Sequence, residues 1–162
     1  MTIERIDNTS FEKLLPLLSW RLNNQEPDSF SLKDFKAAIC KQYSVSEHHE
    51  DAVQLSLRNG YLLIFACVME GRYVGYISCF KQPKPNFLLC YNVDELWVAP
   101  KYRRMGIAKA LLHSVAVDAR KNGAVQTRLY VGKGNKAARK LYLSCGYTEA
   151  SEAVFCTHAI ED

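Results

Sequence analysis

The sequence predicts an α/β (α+β) fold, with a mixed and mostly antiparallel central sheet of about six or seven strands and helices on both faces. Three observations predict it. Apolar residues recur at helical spacing before position 60. Three strand-like apolar runs then follow one another between Tyr61 and Val98, separated by short breaks. Beyond Val98, helical and strand-like segments alternate. A meander followed by a strand–helix–strand unit gives a sheet with both antiparallel and parallel neighbours.

Each element has a local reason. Thr2–Ile6 alternates weakly and reads as an opening strand. Phe11, Leu14, Leu15, Leu18 and Leu22 give Ser10–Asn23 the spacing of a helix, and NNQEPDS interrupts it. Ser31 stands at an N-cap position for a second helix through Tyr43, with Leu32, Phe35, Ala38 and Ile39 along one side. Ser46–Asn59 reads as a third helix, closed by Gly60. YLLIFACVM, the tight turn EGR and YVGYISCF form a hairpin, which QPKPN ends. Leu88–Val98 is the next strand, stopped by Pro100. There follow a helix from about Gly106 to Lys121, a strand Gln126–Val131, and a helix Asn135–Cys145 capped by Gly146. Short strands around Tyr147–Glu149 and Ala153–His158 finish the set. With no repeats or long linkers, residues 1–162 are expected in one domain.

Composition narrows the class. Apolar residues make up 48% of the chain and charged residues 23%, the balance of a globular protein. No run approaches the ~18 consecutive apolar residues of a membrane span, and MTIERIDNTS lacks the basic start and apolar stretch of a signal peptide. A cytoplasmic protein with no membrane partner is expected. None of the six cysteines falls in a CxxC pair and four lie in apolar runs, so small buried thiols are expected rather than disulfides or a metal site. Eleven of the 21 Lys and Arg fall within 101–140, beside a single acid, Asp118. Such a segment suits a polyanion, although charged helix faces also serve solubility alone.

The stretch PKYRRMGIAKALL locates that anion. The first turn of a helix leaves backbone N–H groups without partners at the positive end of the dipole, and phosphates bind there when the backbone can approach closely. Gly106 lacks a Cβ and Ala108 is nearly as small, while Arg103, Arg104 and Lys109 add charge at the same point.

Together, VDELWVAPKYRRMGIAKALL and GNKAARKLYLSCGY resemble the acetyl-CoA-binding core of the GCN5-related N-acetyltransferases, the GNAT family. The family signature Arg/Gln-x-x-Gly-x-Gly/Ala matches Arg103-Arg104-Met105-Gly106-Ile107-Ala108, and Val74–Tyr76 is a weaker marker. The resemblance covers about residues 61–150. It implies a GNAT fold and acetyl-CoA as cosubstrate, with the amides of Arg103, Arg104, Met105, Gly106, Ile107 and Ala108 around its pyrophosphate and Lys109 nearby. It further implies that Leu96, Trp97 and Val98 border the pantetheine arm, Leu96 and Val98 pairing with it through their backbones. In the family that strand carries a bulge and splays from its neighbour, here Gln126–Val131. Asn135 would contact the cofactor from the other side, although Asn before a helix is also an ordinary N-cap.

Acetyl transfer to an amine imposes three tasks: deprotonating the ammonium, stabilising charge on the carbonyl oxygen, and protonating the departing thiolate. The resemblance assigns the last to Tyr142, which by spacing alone is one member of an apolar stripe with Ala138, Leu141 and Cys145. The oxyanion donor it implies is the backbone N–H of Val98. Asp94 and Glu95 are the candidate bases. Consecutive strand residues face opposite ways, so one of them is expected in the cleft, with Glu95 preferred. Water-only deprotonation stays open.

The expected reaction is direct attack of a primary amine on acetyl-CoA in a ternary complex. Glu26, Asp28, Glu47, Glu50 and Asp51, with Asp94 and Glu95, point to a small cationic amine as acceptor, or else offset helix dipoles. A protein or peptide acceptor, and a non-catalytic acetyl-CoA-binding module, are the alternatives. A nucleic-acid partner is not expected, because no recognised nucleic-acid motif accompanies the basic segment. The sequence leaves dimerisation open.

Overall fold

The chain opens with strand β1 (Thr2–Ile6) and continues through helices α1 (Leu15–Asn23), α2 (Leu32–Tyr43) and α3 (Glu50–Arg58). Strands β2 (Leu62–Met69), β3 (Arg72–Pro83) and β4 (Leu89–Val98) follow, then α4 (Ile107–Lys121), β5 (Gln126–Leu129) and α5 (Lys136–Ser144). This computed structural model describes residues 1–46 and 49–150. They fall into two compact units, Met1–Tyr130 and a second that begins at Val131.

In the first unit the strands lie in sequence order, antiparallel from β1 to β4 and parallel between β4 and β5. Glu70 and Gly71, both at positive φ, make the tight turn between β2 and β3, the backbone twist that a two-residue hairpin requires. Leu63–Cys67 and Val74–Cys79 are buried without interruption, which requires cover on both faces of the sheet. Helix α4 supplies cover through Ile107, Leu111, Leu112, Val115 and Ala119, packed on β2, β3 and β4. Helix α1 contributes Leu15, Leu17 and Trp20. Both helices meet β3.

Several boundaries depart from expectation for identifiable reasons. The first predicted helix begins as a 3-10 turn at Phe11–Leu14, and the α-helix starts at Leu15 because Pro16 belongs in a first turn, where its missing N–H costs nothing. Of the predicted Ser46–Asn59 helix, Glu50–Arg58 is helical, and residues 47 and 48 lie outside the described residues. Five strands are found among the described residues instead of six or seven. Tyr147–Glu149 is not one of them: the N–H of Tyr147 donates to the carbonyl of Tyr142 and that of Gly146 to Leu143. The main chain there closes α5, with Gly146 at positive φ. The predicted strand Ala153–His158 lies outside the described residues.

The thiols of Cys67, Cys79 and Cys90 are buried, and those of Cys40 and Cys145 are partly exposed; all five are free. Burial, reinforced by the nearby Asp118 carboxylate, pushes the Cys79 thiol up to about 12, so it remains a small apolar group. Among the described residues no three His, Cys, Asp or Glu side chains gather as a metal set would. Cys156 lies outside them.

Gly75 marks the tightest contact between sheet and helix. A Cβ there would stand 3.1 Å from Val98 Cγ2, 3.2 Å from Ile107 Cγ2 and 3.2 Å from the Trp97 carbonyl oxygen. The two methyl groups sit at either end of the basic turn, and the oxygen belongs to a paired strand that cannot yield. Gly75→Ala is expected to lower unfolding stability by about 1–3 kcal/mol, the usual cost of overpacking, measured by urea denaturation. An unchanged midpoint would show that strand and helix separate more easily than these distances imply.

Candidate functional site

Strand β4 builds the site by changing its parity. Tyr91 faces α4, donating its hydroxyl hydrogen bond to Asp118 at 2.7 Å. Val98 faces the same helix, beside Ile107. Seven positions apart, these two would lie on opposite faces of a regular strand. The discrepancy is resolved by a bulge: Ser78 pairs with Glu95 and Cys79 with Val93, which leaves Asp94 as the extra residue. Glu95 and Trp97 consequently turn to the α1 side. There Trp97 meets Trp20 edge-on with ring centroids 6.0 Å apart. The expectation that Asp94 and Glu95 face opposite ways therefore does not apply, because alternation is suspended at that pair.

Pairing with β5 ends at the same place. The parallel ladder runs from Cys90 opposite Gln126 to Val93 opposite Leu129. The predicted strand Gln126–Val131 is thus two residues shorter, and no described strand accompanies Asp94–Val98 on that side. The direction of the exposed backbone follows from the other neighbour. Ala99 donates to the Val74 carbonyl at 2.9 Å, so the adjacent pair Val98–Gly75 is a non-hydrogen-bonded one. Val98 and Leu96 therefore turn their N–H and C=O groups away from β3, toward the side that β5 has left. Arg103 caps one of these groups, its Nε donating to the Val98 carbonyl at 2.9 Å.

The turn that follows is an exposed loop between two buried anchors, Tyr102 and Ile107. Arg104 sits at φ 63° and Gly106 at φ 82°. Two left-handed residues in so short a stretch curl the backbone into the kind of concavity that gathers amides around an anion. Gly106 is also the N-cap of α4, no side chain caps that helix, and its first turn holds no acid. The first intrahelical bond runs from Ala110 to Gly106, leaving the amides of Ile107, Ala108 and Lys109 without helical acceptors. Nothing lies within 4 Å of where a Gly106 Cβ would be, so the space in front of the loop is open. Arg104, Met105 and Lys109 are exposed, and neither Arg104 nor Lys109 has a hydrogen bond or ion pair among the described residues. An uncapped, uncompensated helix start with free cations suits a pyrophosphate.

The α1 side holds groups that sequence reasoning did not select. Arg21 forms an ion pair with Glu95, and the Tyr76 hydroxyl donates to the same carboxylate. Burial first, and then that bond, raise the Tyr76 hydroxyl well above its ordinary value, so it stays a donor. Asp94 is exposed, with no hydrogen bond or ion pair among the described residues, although its charge is also felt at Tyr76. Tyr76 falls inside the VGY marker, which signalled kinship but no role. Arg21 carried no signal, since one Arg near a helix end is commonplace.

Three of the seven acids expected to attract a cationic amine are paired among the described residues, Glu95 included. Glu26 is held by Lys101 and Arg72, and Glu50 by Lys36. Glu47 lies outside the described residues. Asp28, Asp51 and Asp94 form no ion pair among the described residues. A separate cavity of about 470 Å³, lined in part by Glu4, Trp20, Glu26, Arg72 and Tyr73, includes neither the β4 carboxylates nor the basic turn.

In the second unit Asn135 caps α5, its side-chain oxygen accepting from the amide of Ala138 at 3.1 Å. Tyr142 is half-buried, with its ring centroid 5.8 Å from that of Tyr147. Burial and the Tyr147 hydroxyl raise the Tyr142 hydroxyl above its ordinary value, so it is protonated at neutral pH.

Comparison with known proteins is consistent with this geometry. The profile of the acetyltransferase (GNAT) family matches residues 24–147. An uncharacterized N-acetyltransferase of Methanocaldococcus jannaschii is 31% identical over 87 residues, 52% of this chain and 38% of that protein. The chain thus spans about two fifths of the length of the curated relatives it matches. In three dimensions it superimposes on an aminoglycoside acetyltransferase from an uncultured soil metagenomic sample with a TM-score of 0.77 at 17% identity, covering 99% of this chain and 96% of that one. It also superimposes on AAC(6')-Iy bound to the bisubstrate analogue CoA-S-monomethyl-acetylneamine, with a TM-score of 0.71 at 16% identity over 98% of each chain. Such identities speak to fold alone, and the fold they share is the one described above. With a signature turn, a bulged strand beside it and a family match over most of its length, this chain belongs to the acetyltransferase (GNAT) family.

Proposed function

We propose that this protein is an acetyl-CoA-dependent N-acetyltransferase that acts on a small cationic primary amine by direct attack in a ternary complex. The observation that carries the reading is the continuity of the anion-suited turn Arg103–Ala108 with the outward-facing backbone of Leu96 and Val98. A diphosphate and the amide-bearing arm attached to it need both, in that order along one strand.

Acetyl-CoA, when bound, supplies the activated acyl group. The chain's own residues do the rest. The amides from Arg104 to Lys109, with the Arg104 and Lys109 side chains, hold the diphosphate; the Arg103 amide, which the resemblance places among them, instead donates to the Pro100 carbonyl, and its side chain braces the turn through the Val98 carbonyl. Leu96 and the Val98 N–H align the arm, and the same N–H faces the acyl oxygen as charge grows on it. Trp97 backs the strand from the α1 side. Glu95, with Asp94 as the alternative, removes the ammonium proton directly or through water. Tyr142 returns a proton to the leaving sulfur, a role supported by the family motif around it and by the burial that keeps its hydroxyl protonated. Asn135 completes the cofactor contacts while capping α5. The aminoglycoside acetyltransferases with the same fold support an amine acceptor of small size.

Acetyl-CoA turnover across a panel of polyamines, aminoglycosides, amino acids and peptides tests the reading. Turnover with small amines is expected. Activity with peptides alone would replace the acceptor class, and acetyl-CoA binding without turnover on any amine would leave a sensing module. Within that assay Gly106→Leu is expected to raise the KM for acetyl-CoA by roughly ten- to a hundredfold, the loss of one or two charge-assisted amide contacts. The kcat should change much less. Tyr142→Phe is expected to do the opposite, lowering kcat by about a hundredfold, the scale of a general acid, with acetyl-CoA affinity nearly unchanged. Wild-type kinetics in both variants would remove these residues from the site.

A further inference from the structure

Glu95 already binds a cation. The Arg21 guanidinium reaches it from the last turn of α1, and the Tyr76 hydroxyl completes the set. The pair stands at the bulge, on the α1 side, next to the stretch where β5 has left β4. If this carboxylate receives the proton of an ammonium, the ammonium must come to the position that Arg21 holds. Two cations cannot share one monodentate face of a carboxylate without repulsion. Exchange is therefore the economical route.

We infer that Arg21 is an internal stand-in for the acceptor: an ammonium displaces its guanidinium from Glu95, so the residue sets how strongly a substrate must be charged to enter. This deepens the proposed function and rests on it for the identity of the incoming amine. The geometry favours exchange over a permanent clamp. The Arg21 side chain is 38% exposed and that of Glu95 26%, so the pair is solvent-screened and weakly held. A long Arg side chain so placed can swing into water without moving α1, which is anchored by the buried Leu15, Leu17 and Trp20. Tyr76 remains as a neutral donor that keeps the carboxylate aimed while the cations change over. The groups around Glu95 are thus Arg21 from α1, Tyr76 from β3 and Asp94 from β4 itself. Asp94 adds negative charge at the mouth and assists the arrival of a cation rather than competing with it.

The test uses the full chain with Arg21→Gln, which keeps the stem and removes the charge, and Arg21→Lys, which keeps a charge. In Arg21→Gln the KM for the amine is expected to fall by roughly three- to tenfold, the scale of one screened ion pair no longer competing. The KM for acetyl-CoA and kcat should stay within about twofold of wild type, and Arg21→Lys should resemble wild type. Methylguanidinium, titrated by NMR, should bind Arg21→Gln more tightly than wild type by a similar factor. That titration needs no turnover: tighter binding in a protein inactive on every amine would uphold the exchange and sink only the transferase reading. A higher amine KM or a lower kcat in Arg21→Gln would show a positioning role and overturn the proposal, as would equal methylguanidinium affinity in the two proteins.

Discussion

The single extra residue that β4 carries at Asp94 governs the arrangement of everything around it. Before it, the strand turns Tyr91 toward α4; after it, Glu95 and Trp97 turn toward α1, while Val98 rejoins α4. The local twist that accompanies a bulge also coincides with the end of pairing to β5. The bulge therefore lets a strand that begins with Tyr91 toward α4 present Glu95 on the α1 side, next to a length of backbone that β5 no longer pairs. It also leaves the strand aimed into the turn that suits the diphosphate. Regular alternation through every residue from Tyr91 onward would turn Glu95 and Trp97 toward α4 and Val98 away from it.

The turn itself depends on what flanks it. Tyr102 and Ile107 are buried on either side, Arg103 ties its base to Val98, and Gly75 lets α4 settle directly on the sheet. Between these fixed points the backbone can hold left-handed angles at Arg104 and Gly106. Strain at a non-glycine residue such as Arg104 persists when the surroundings over-determine it. Rigidity of the frame and openness of the loop are thus two aspects of one arrangement, and both suit preorganised binding of an anion.

Elsewhere in the first unit, several acids are neutralised by pairing. Glu26 with Lys101 and Arg72, Glu50 with Lys36, and Glu95 with Arg21 each neutralise locally. The basic segment shows the reverse pattern, with Arg104 and Lys109 unpaired among the described residues around the α4 start. Positive charge is thus left uncompensated at the start of α4, while Glu95 is neutralised by Arg21.

The sequence by itself determined the order of the elements, the meander and its parallel crossover. It also determined the basic turn at Arg103–Ala108, because helical and strand periodicities, caps and a glycine at a helix start are local properties. It determined the family too, through motifs whose spacing reflects such local geometry. The tertiary structure alone decided which way Glu95 faces and what it touches. A bulge arises from the register between two strands, and neither strand's alternation reveals it in isolation. The pairing of Arg21 with Glu95 joins residues far apart in the chain, and the engagement of Glu26 depends on where Lys101 and Arg72 come to lie. Charge count could name those acids but could not say which remained free. The short β5 was likewise settled by its ladder with β4, a pairing that no single segment contains.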